Sequence, residues 1–316
     1  MGRAVAGHQR STRAHLLAVA LVLFWSSGFI GAELGPGTAG AQTLLTWRCL
    51  VIALLLVPFL PRPSERWHAR EWVRQAVLAL LCQCLYLTGV FWAAAAGVPA
   101  GTSALVASLQ PAVVLLATAG LHHGAVRRVH LWGLLAGTAG VALAAAGDVG
   151  AGASPLALAL PVGAVLSLAA GTLLHQRWTR EEPTGGRSMP LLQTLAVQSL
   201  FTAGFTTAVA APGGDLLPPP SSAFWTAVGW TVVAGLGSYA AYYRAVDALG
   251  ADRANALLYL TPAVTALWAA ALFGGEVRST TLAGLALSAA GAALLLRVES
   301  LRPVSGGTAT DRSPHR

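Results

Sequence analysis

Long apolar blocks alternate with short polar breaks along this chain, and each block is about the length of a bilayer-crossing helix. The blocks are apolar all round rather than along one stripe. About 20 such residues, rising ~1.5 Å each, cover a hydrocarbon core of about 30 Å. The first block runs from His15 to Glu33, and nine more follow at 41–60, 72–94, 101–121, 130–147, 155–177, 190–211, 222–246, 253–273 and 280–297. Turn-forming residues separate them, as at Gly35-Pro36-Gly37, Pro61-Arg62-Pro63, Gly97-Val98-Pro99, Pro183-Thr184-Gly185-Gly186 and Pro218-Pro219-Pro220. The first block contains Trp25 and no small-residue cleavage site follows it, so it reads as a spanning helix rather than a signal peptide.

One stretch occurs twice. Val98 to Ala144, shifted by 151 positions without a gap, lies on Leu249 to Leu295, with 18 of 47 positions identical. The informative matches are the less replaceable residues: Pro111 on Pro262, Gly124 on Gly275, Arg127 on Arg278, Gly133 on Gly284 and Gly140 on Gly291. Each copy reads as a helix with a proline near its middle, a Gly turn with charge, and a second helix. The period is far longer than a solenoid unit, which points to a duplicated membrane protein.

Composition agrees. Hydrophobic residues make up 55% and charged residues 10% of the 316, against roughly 25% charged in soluble domains. The net charge of +8 comes from arginine alone, because the chain has no lysine. That excludes a P-loop lysine and a Schiff-base or pyridoxal-phosphate lysine. No cofactor is expected, and the arginine distribution points to a lipid bilayer rather than nucleic acid. Cys49, Cys82 and Cys84 lie within apolar blocks and read as small buried side chains.

Ten spans with a cytoplasmic N-terminus place 18 of the 20 arginines inside, with Arg278 outside and Arg48 within a span. Glu33, Asp148, Asp215 and Glu276 then face out. This is the positive-inside bias, and it puts both termini in the cytoplasm. Five spans per half is an odd number, so the second half enters from the opposite side. The expectation is an all-α polytopic protein of the cytoplasmic (inner) membrane, with ten transmembrane helices in two inverted five-helix repeats. The repeats are 15–148 and 155–297, joined by a linker at 149–154, with disordered cytoplasmic tails at 1–14 and 298–316. Inverted repeats give a bundle two nearly equal-energy tilts, the basis of alternating access.

The two proline segments, LQPAVVLLATAGLHHG and LTPAVTALWAAALFGGE, and the LxGLxxxxxG helix after each resemble the EamA-type permeases of the drug/metabolite transporter superfamily. The resemblance covers residues 15–297. It implies a ten-helix permease for small metabolites, often an exporter of amino acids or related compounds. The first copy departs from the pattern, with Ala125 where the second has Glu276, so a symmetric role for that acid is in doubt.

Candidate chemistry follows from polar residues at membrane depth. Pro111 and Pro262 lie about ten residues into their helices, near the midplane. A mid-helix proline has no N–H and displaces the carbonyl four residues earlier, here Ala107 and Leu258. Gln110 and Thr261 precede the prolines, and Ser26, Gln83, Tyr86, His175, Tyr239, Tyr242, Asn255 and Tyr259 reach similar depth. Together these twelve are the expected substrate-binding set around a central cavity. Tyr239 and Tyr242 share a helix face that could clamp a planar substrate, against the plainer reading as core or interfacial aromatics. Asn255 and Tyr259 lie four apart on one face. Arg48, inside the second span, marks a function or a pairing by its cost. A gating ion pair with Glu33, the nearest acid in sequence, is expected over direct substrate contact. Gly133/Gly137/Gly140 and Gly284/Ser288/Gly291 read as a packing seam, and secondarily as a homodimer face.

The sequence thus predicts a secondary transporter of small polar or amphipathic metabolites, amino-acid-like compounds favoured, working as an exporter. The alternatives are an intramembrane enzyme acting on a lipid-linked substrate, for which no metal or Ser-His pattern occurs, and a membrane subunit of a larger energised complex. His122 and His123 read as solvated loop residues. Substrate identity, direction and proton coupling against facilitated diffusion stay open.

Overall fold

The computed structural model describes residues 2–62, 64–65, 67–121, 128–150, 154–181, 189–274 and 277–299. Among them every regular element is helical. The chain opens with α1 (Gly2–Glu33), α2 (Ala41–Leu56), α3 (Ala69–Leu78), α4 (Tyr86–Ala95), α5 (Ala100–Ala107) and α6 (Gln110–Leu121). It continues through α7 (Arg128–Gly150), α8 (Ala159–Glu181), α9 (Leu191–Ala210), α10 (Ser222–Leu249), α11 (Ala251–Leu258), α12 (Thr261–Phe273) and α13 (Ser279–Glu299). Seven of the helical stretches are long and apolar enough to cross a membrane. Less than half of each is buried within the chain, and large side chains such as Leu54, Trp132, Leu135, Val233 and Leu267 point outward. An apolar surface of that extent belongs against lipid, and the chain is an integral multi-pass membrane protein.

The helix bounds lie close to the apolar blocks, with three informative differences. First, α1 extends back to Gly2, so the expected disordered tail at 1–14 continues a helix instead. Second, α3 and α4 are joined without a turn by a π-helical stretch, Ala79–Leu85. The wider turn leaves backbone groups to be satisfied from outside, and Ser167 of α8 donates its hydroxyl to the Leu81 carbonyl at 2.8 Å.

Third, each proline helix is interrupted by one tighter turn. After α5 the Leu109 N–H turns back to the Val106 carbonyl at 3.1 Å, and Ser108 Oγ donates to Leu105 O at 2.6 Å. In the second copy Leu260 N–H donates to Leu257 O at 3.0 Å. Pro111 and Pro262 therefore fall in the first turns of α6 and α12, where a missing N–H costs nothing and the fixed φ suits the helix. The backbone stays in the helical region through both turns, at Ser108 and at Leu260, so each rod continues across the interruption.

Small residues let the helices approach closely. The buried centre combines Phe29, Ile30, Leu44, Leu45, Phe91 and Phe224 with many alanines from α1, α2, α4, α5, α8, α9 and α10. The tightest seam is α7 against α13, which run antiparallel: Gly147 faces Thr280 at one end and Gly133 faces Gly291 at the other. Ser288 Oγ donates to the Gly137 carbonyl at 3.1 Å across it. The glycine series thus packs the two helices on each other. Elsewhere α1 packs on α10, α8 on α4, α2 on α9 and α5 on α12. Gly124, Ala125, Arg127, His122, His123, Gly275, Glu276 and the tail beyond Glu299 lie outside the described residues.

Candidate functional site

Arg48 has nowhere polar to go along its own helix. It lies on α2 in a run of leucine, valine and alanine, and is 9% exposed. The acceptor it finds is on another helix: its Nε donates to the Thr231 carbonyl of α10 at 3.3 Å. A mid-helix carbonyl can be reached because the residue four positions on is Gly235. A Cβ there would sit 2.9 Å from Arg48 Nη2, in the space the guanidinium occupies. The Phe91 ring of α4 covers the other side, with Arg48 Cζ 5.6 Å from its centroid, a cation–π contact. The expected ion pair with Glu33 does not form. Glu33 accepts the N–H of Ala100 and so caps the first turn of α5, while Asp148 takes Thr102 and, at 3.7 Å, Arg278. The acid close in sequence lies at a helix end, where an unpaired N–H is the better partner.

Tyr239 stands one turn beyond Gly235 on the α10 face that the Arg48 guanidinium touches, and Tyr86 of α4 packs on the buried cluster that holds Cys49 and Phe91, so both lie within electrostatic reach of Arg48. Tyr239 is nevertheless 36% exposed. Its neighbours come from α2, α4 and the π-helical turn. Tyr243 is its other aromatic neighbour. Tyr242 points elsewhere, packing on Trp25 at 5.9 Å and donating to Asn255 Oδ1 at 3.0 Å. The expected Tyr239–Tyr242 clamp is therefore absent, since Trp25, Tyr243 and Asn255 hold the Tyr242 ring away from Tyr239.

One turn along α3–α4 from Tyr86, Gln83 sits on the π-helical stretch and donates to Gln198 Oε1 at 2.9 Å. Gln198 donates to Gln75 Oε1 at 2.7 Å, and Thr202 to Gln83 Oε1 at 3.2 Å. On the other side of α9, Gln42 and Thr46 both bond the Thr206 carbonyl, at 3.1 and 3.3 Å, and Trp92 donates to Gln42 Oε1 at 3.1 Å. These bonds tie α9 to α2 and to the α3–α4 rod, satisfying polar groups that lipid could not.

The remaining expected residues form separate groups. Ser26 donates to the Thr261 carbonyl at a long 3.4 Å, and Thr261 and Pro262 are buried beside α1. Gln110 donates to Thr172 Oγ1 of α8 at 3.2 Å, with Pro111 exposed next to it. Tyr259 lines a small cavity with Ser108, Gly133, Gly137 and Ser288. Asn255 lies on α11, and Tyr259 follows its last residue, Leu258. His175 is exposed on α8, away from these groups. The structure thus brings together Arg48, Tyr86 and Tyr239, with Gln83 adjacent. It also reveals Gln42, Gln75, Thr202 and Arg74, which sequence reasoning did not single out. Arg74 is buried against Glu71 at 3.0 Å and the Trp178 ring at 5.4 Å. Glutamine or arginine inside an apolar block was the available signal for three of these; Thr202 offered none.

A model of the EamA-like transporter family matches this chain twice, at residues 12–146 and 156–297. A solved crystal structure superposes with a TM-score of 0.57 at 20% identity, covering 92% of this chain and 99% of that one, a likeness of fold. No curated protein matches in sequence.

Proposed function

Because the chain belongs to the EamA-like transporter family, we propose that it is a secondary transporter carrying small polar or amphipathic metabolites by alternating access. The proposal rests on the α7–α13 seam. A Cβ on Gly140 would meet the Gly284 carbonyl at 2.5 Å, and one on Gly291 the Gly133 carbonyl at 2.5 Å. Shifted by the repeat, the first contact becomes the second. Reciprocal contacts of this kind are the mark of a two-fold axis. The Ser288–Gly137 bond joins two positions that are themselves repeat equivalents. Two equivalent helices that cross antiparallel are what a two-fold axis in the membrane plane would give, and they support the inverted-repeat reading. The other helix pairs obey the same exchange: α1 on α10 answers α8 on α4, and α2 on α10 answers α9 on α3.

In this reading α10, the α11–α12 rod and α13 complete ten crossings. The tryptophans and tyrosines of α10 lower its apolarity, but its 28 residues exceed a bilayer's thickness. Both termini are cytoplasmic, in the inner membrane. In the same reading the substrate chamber lies beside Tyr239 and Tyr86, and the interrupted rods α5–α6 and α11–α12 are the elements whose halves move. Amino-acid-like compounds leaving the cell are the favoured cargo. The chain carries out no chemistry of its own.

The test is counterflow in proteoliposomes: purified protein, a panel of unlabelled metabolites inside, labelled ones outside. Saturable exchange of at least one compound is expected. Exchange no faster than in protein-free liposomes across a broad panel would remove the transporter reading.

A further inference from the structure

We propose that Arg48 receives the carboxylate of the transported compound, whose apolar or aromatic body lies between Tyr86 and Tyr239. This deepens the transporter reading and rests on it. An arginine at membrane depth is retained only with a partner or a task. Among the described residues no carboxylate approaches Arg48 within ion-pair distance, and the nearest acids in sequence are occupied at Ala100, Thr102 and Arg278. The protein supplies one neutral acceptor, the Thr231 carbonyl, and it takes Nε alone. Among the described residues no acceptor is found for either Nη amine. The planar fork is thus fixed at Nε by Thr231, flanked by Phe91, and left with Nη donors that no described residue accepts. That is the geometry that takes a carboxylate through paired N–H···O bonds.

Charge selects among anions. One guanidinium neutralises one carboxylate, so 3-phenylpropionate makes the filled chamber neutral, and the ammonium of an amino acid is left to the ring faces of Tyr86 and Tyr239. A phosphate monoester would leave a buried excess charge in a low-dielectric setting. The walls set the rest of the molecule: Tyr86, Tyr239 and Phe91 offer ring faces, with hydroxyl groups at Tyr86 and Tyr239 for a polar substituent. Gly235 acts through Arg48 by leaving the space its guanidinium fills, so it is a positioning residue.

The test uses the purified full chain in detergent, with 3-phenylpropionate, L-phenylalanine and the amide of each as probes. Binding is followed by ligand-induced thermal stabilisation, read through intrinsic tryptophan fluorescence. The acids are expected to stabilise the wild type and the amides to do so at least about tenfold less effectively, in line with a lost charge-assisted bond. Arg48→Gln should abolish that preference, Arg48→Lys should retain part of it, and Gly235→Ala should weaken acid binding while leaving amide binding unchanged. If Arg48→Gln does not fold, Gly235→Ala and Arg48→Lys carry the test. Equal stabilisation by acid and amide in the wild type, by inorganic phosphate as strongly as by the acids, or an acid preference that survives Arg48→Gln would each overturn the proposal. Counterflow separates the two readings. Exchange without acid preference removes the carboxylate site and keeps the transporter. Acid-selective binding with no exchange of any probe or metabolite keeps the site and removes the transporter.

Discussion

Replacing Gly140 by alanine tests the seam on which the two halves meet. A Cβ at this position would lie 2.5 Å from the Gly284 carbonyl oxygen and 2.9 Å from the Ser288 amide nitrogen, against ordinary contacts of 3.4–4 Å. Both are backbone atoms and cannot rotate away, so α7 and α13 must separate by roughly 1 Å. Overpacking of this kind costs about 1–3 kcal/mol. The same separation stretches the 3.1 Å bond from Ser288 Oγ to the Gly137 carbonyl, worth about 0.6 kcal/mol in a membrane protein. A loss near 2 kcal/mol shifts the unfolding equilibrium by about thirtyfold. The assay is equilibrium unfolding in mixed micelles titrated with SDS, followed by tryptophan fluorescence. Gly204→Ala is the control: nothing lies within 4 Å of a Cβ there, so the substitution should be neutral or stabilise by up to about 1 kcal/mol. If Gly140→Ala unfolds with the wild type, the close approach is not real, and the two-fold argument built on it fails.

Other positions give independent checks. Glu33→Ala removes the acceptor of the Ala100 N–H and should destabilise by about 1 kcal/mol in the same unfolding assay, with Glu33→Gln recovering most of it. Gln83→Leu strands partners at both Gln198 and Thr202. It should cost about 1 kcal/mol, and the Gln83→Leu/Gln198→Leu double variant should cost less than the two singles together. In a background without Cys49, Cys82 and Cys84, single cysteines at Ser64 and Ser154 should react with a membrane-impermeant thiol reagent from opposite sides of the membrane. Labelling from one side would contradict the inverted arrangement.

Much of the architecture was legible in the chain. Block lengths located the helices to within a few residues, because a bilayer demands a continuous apolar stretch and leaves polar turns between. The duplication was equally plain, since Pro111 with Pro262 and Gly140 with Gly291 are residues that composition alone does not repeat. Arg48 stood out for the same reason: its cost is visible wherever the helix ends up. Its partner was not. Choosing Glu33 followed nearness in sequence, whereas Thr231 lies 183 positions away and becomes an acceptor only because Gly235 leaves its carbonyl uncovered.

Sequence by itself therefore determined that the chain lives in a membrane, how often the pattern repeats, and which polar residues must find partners there. Only the tertiary structure decided which of them meet. A helix that is apolar on every side carries no stripe to say which way it faces, so its rotation is set by packing. Close glycine seams, a π-helical turn and two tighter turns before the prolines fixed those rotations here, placing Tyr239 on the face of α10 that meets Arg48, Tyr242 against Asn255 and His175 away from both.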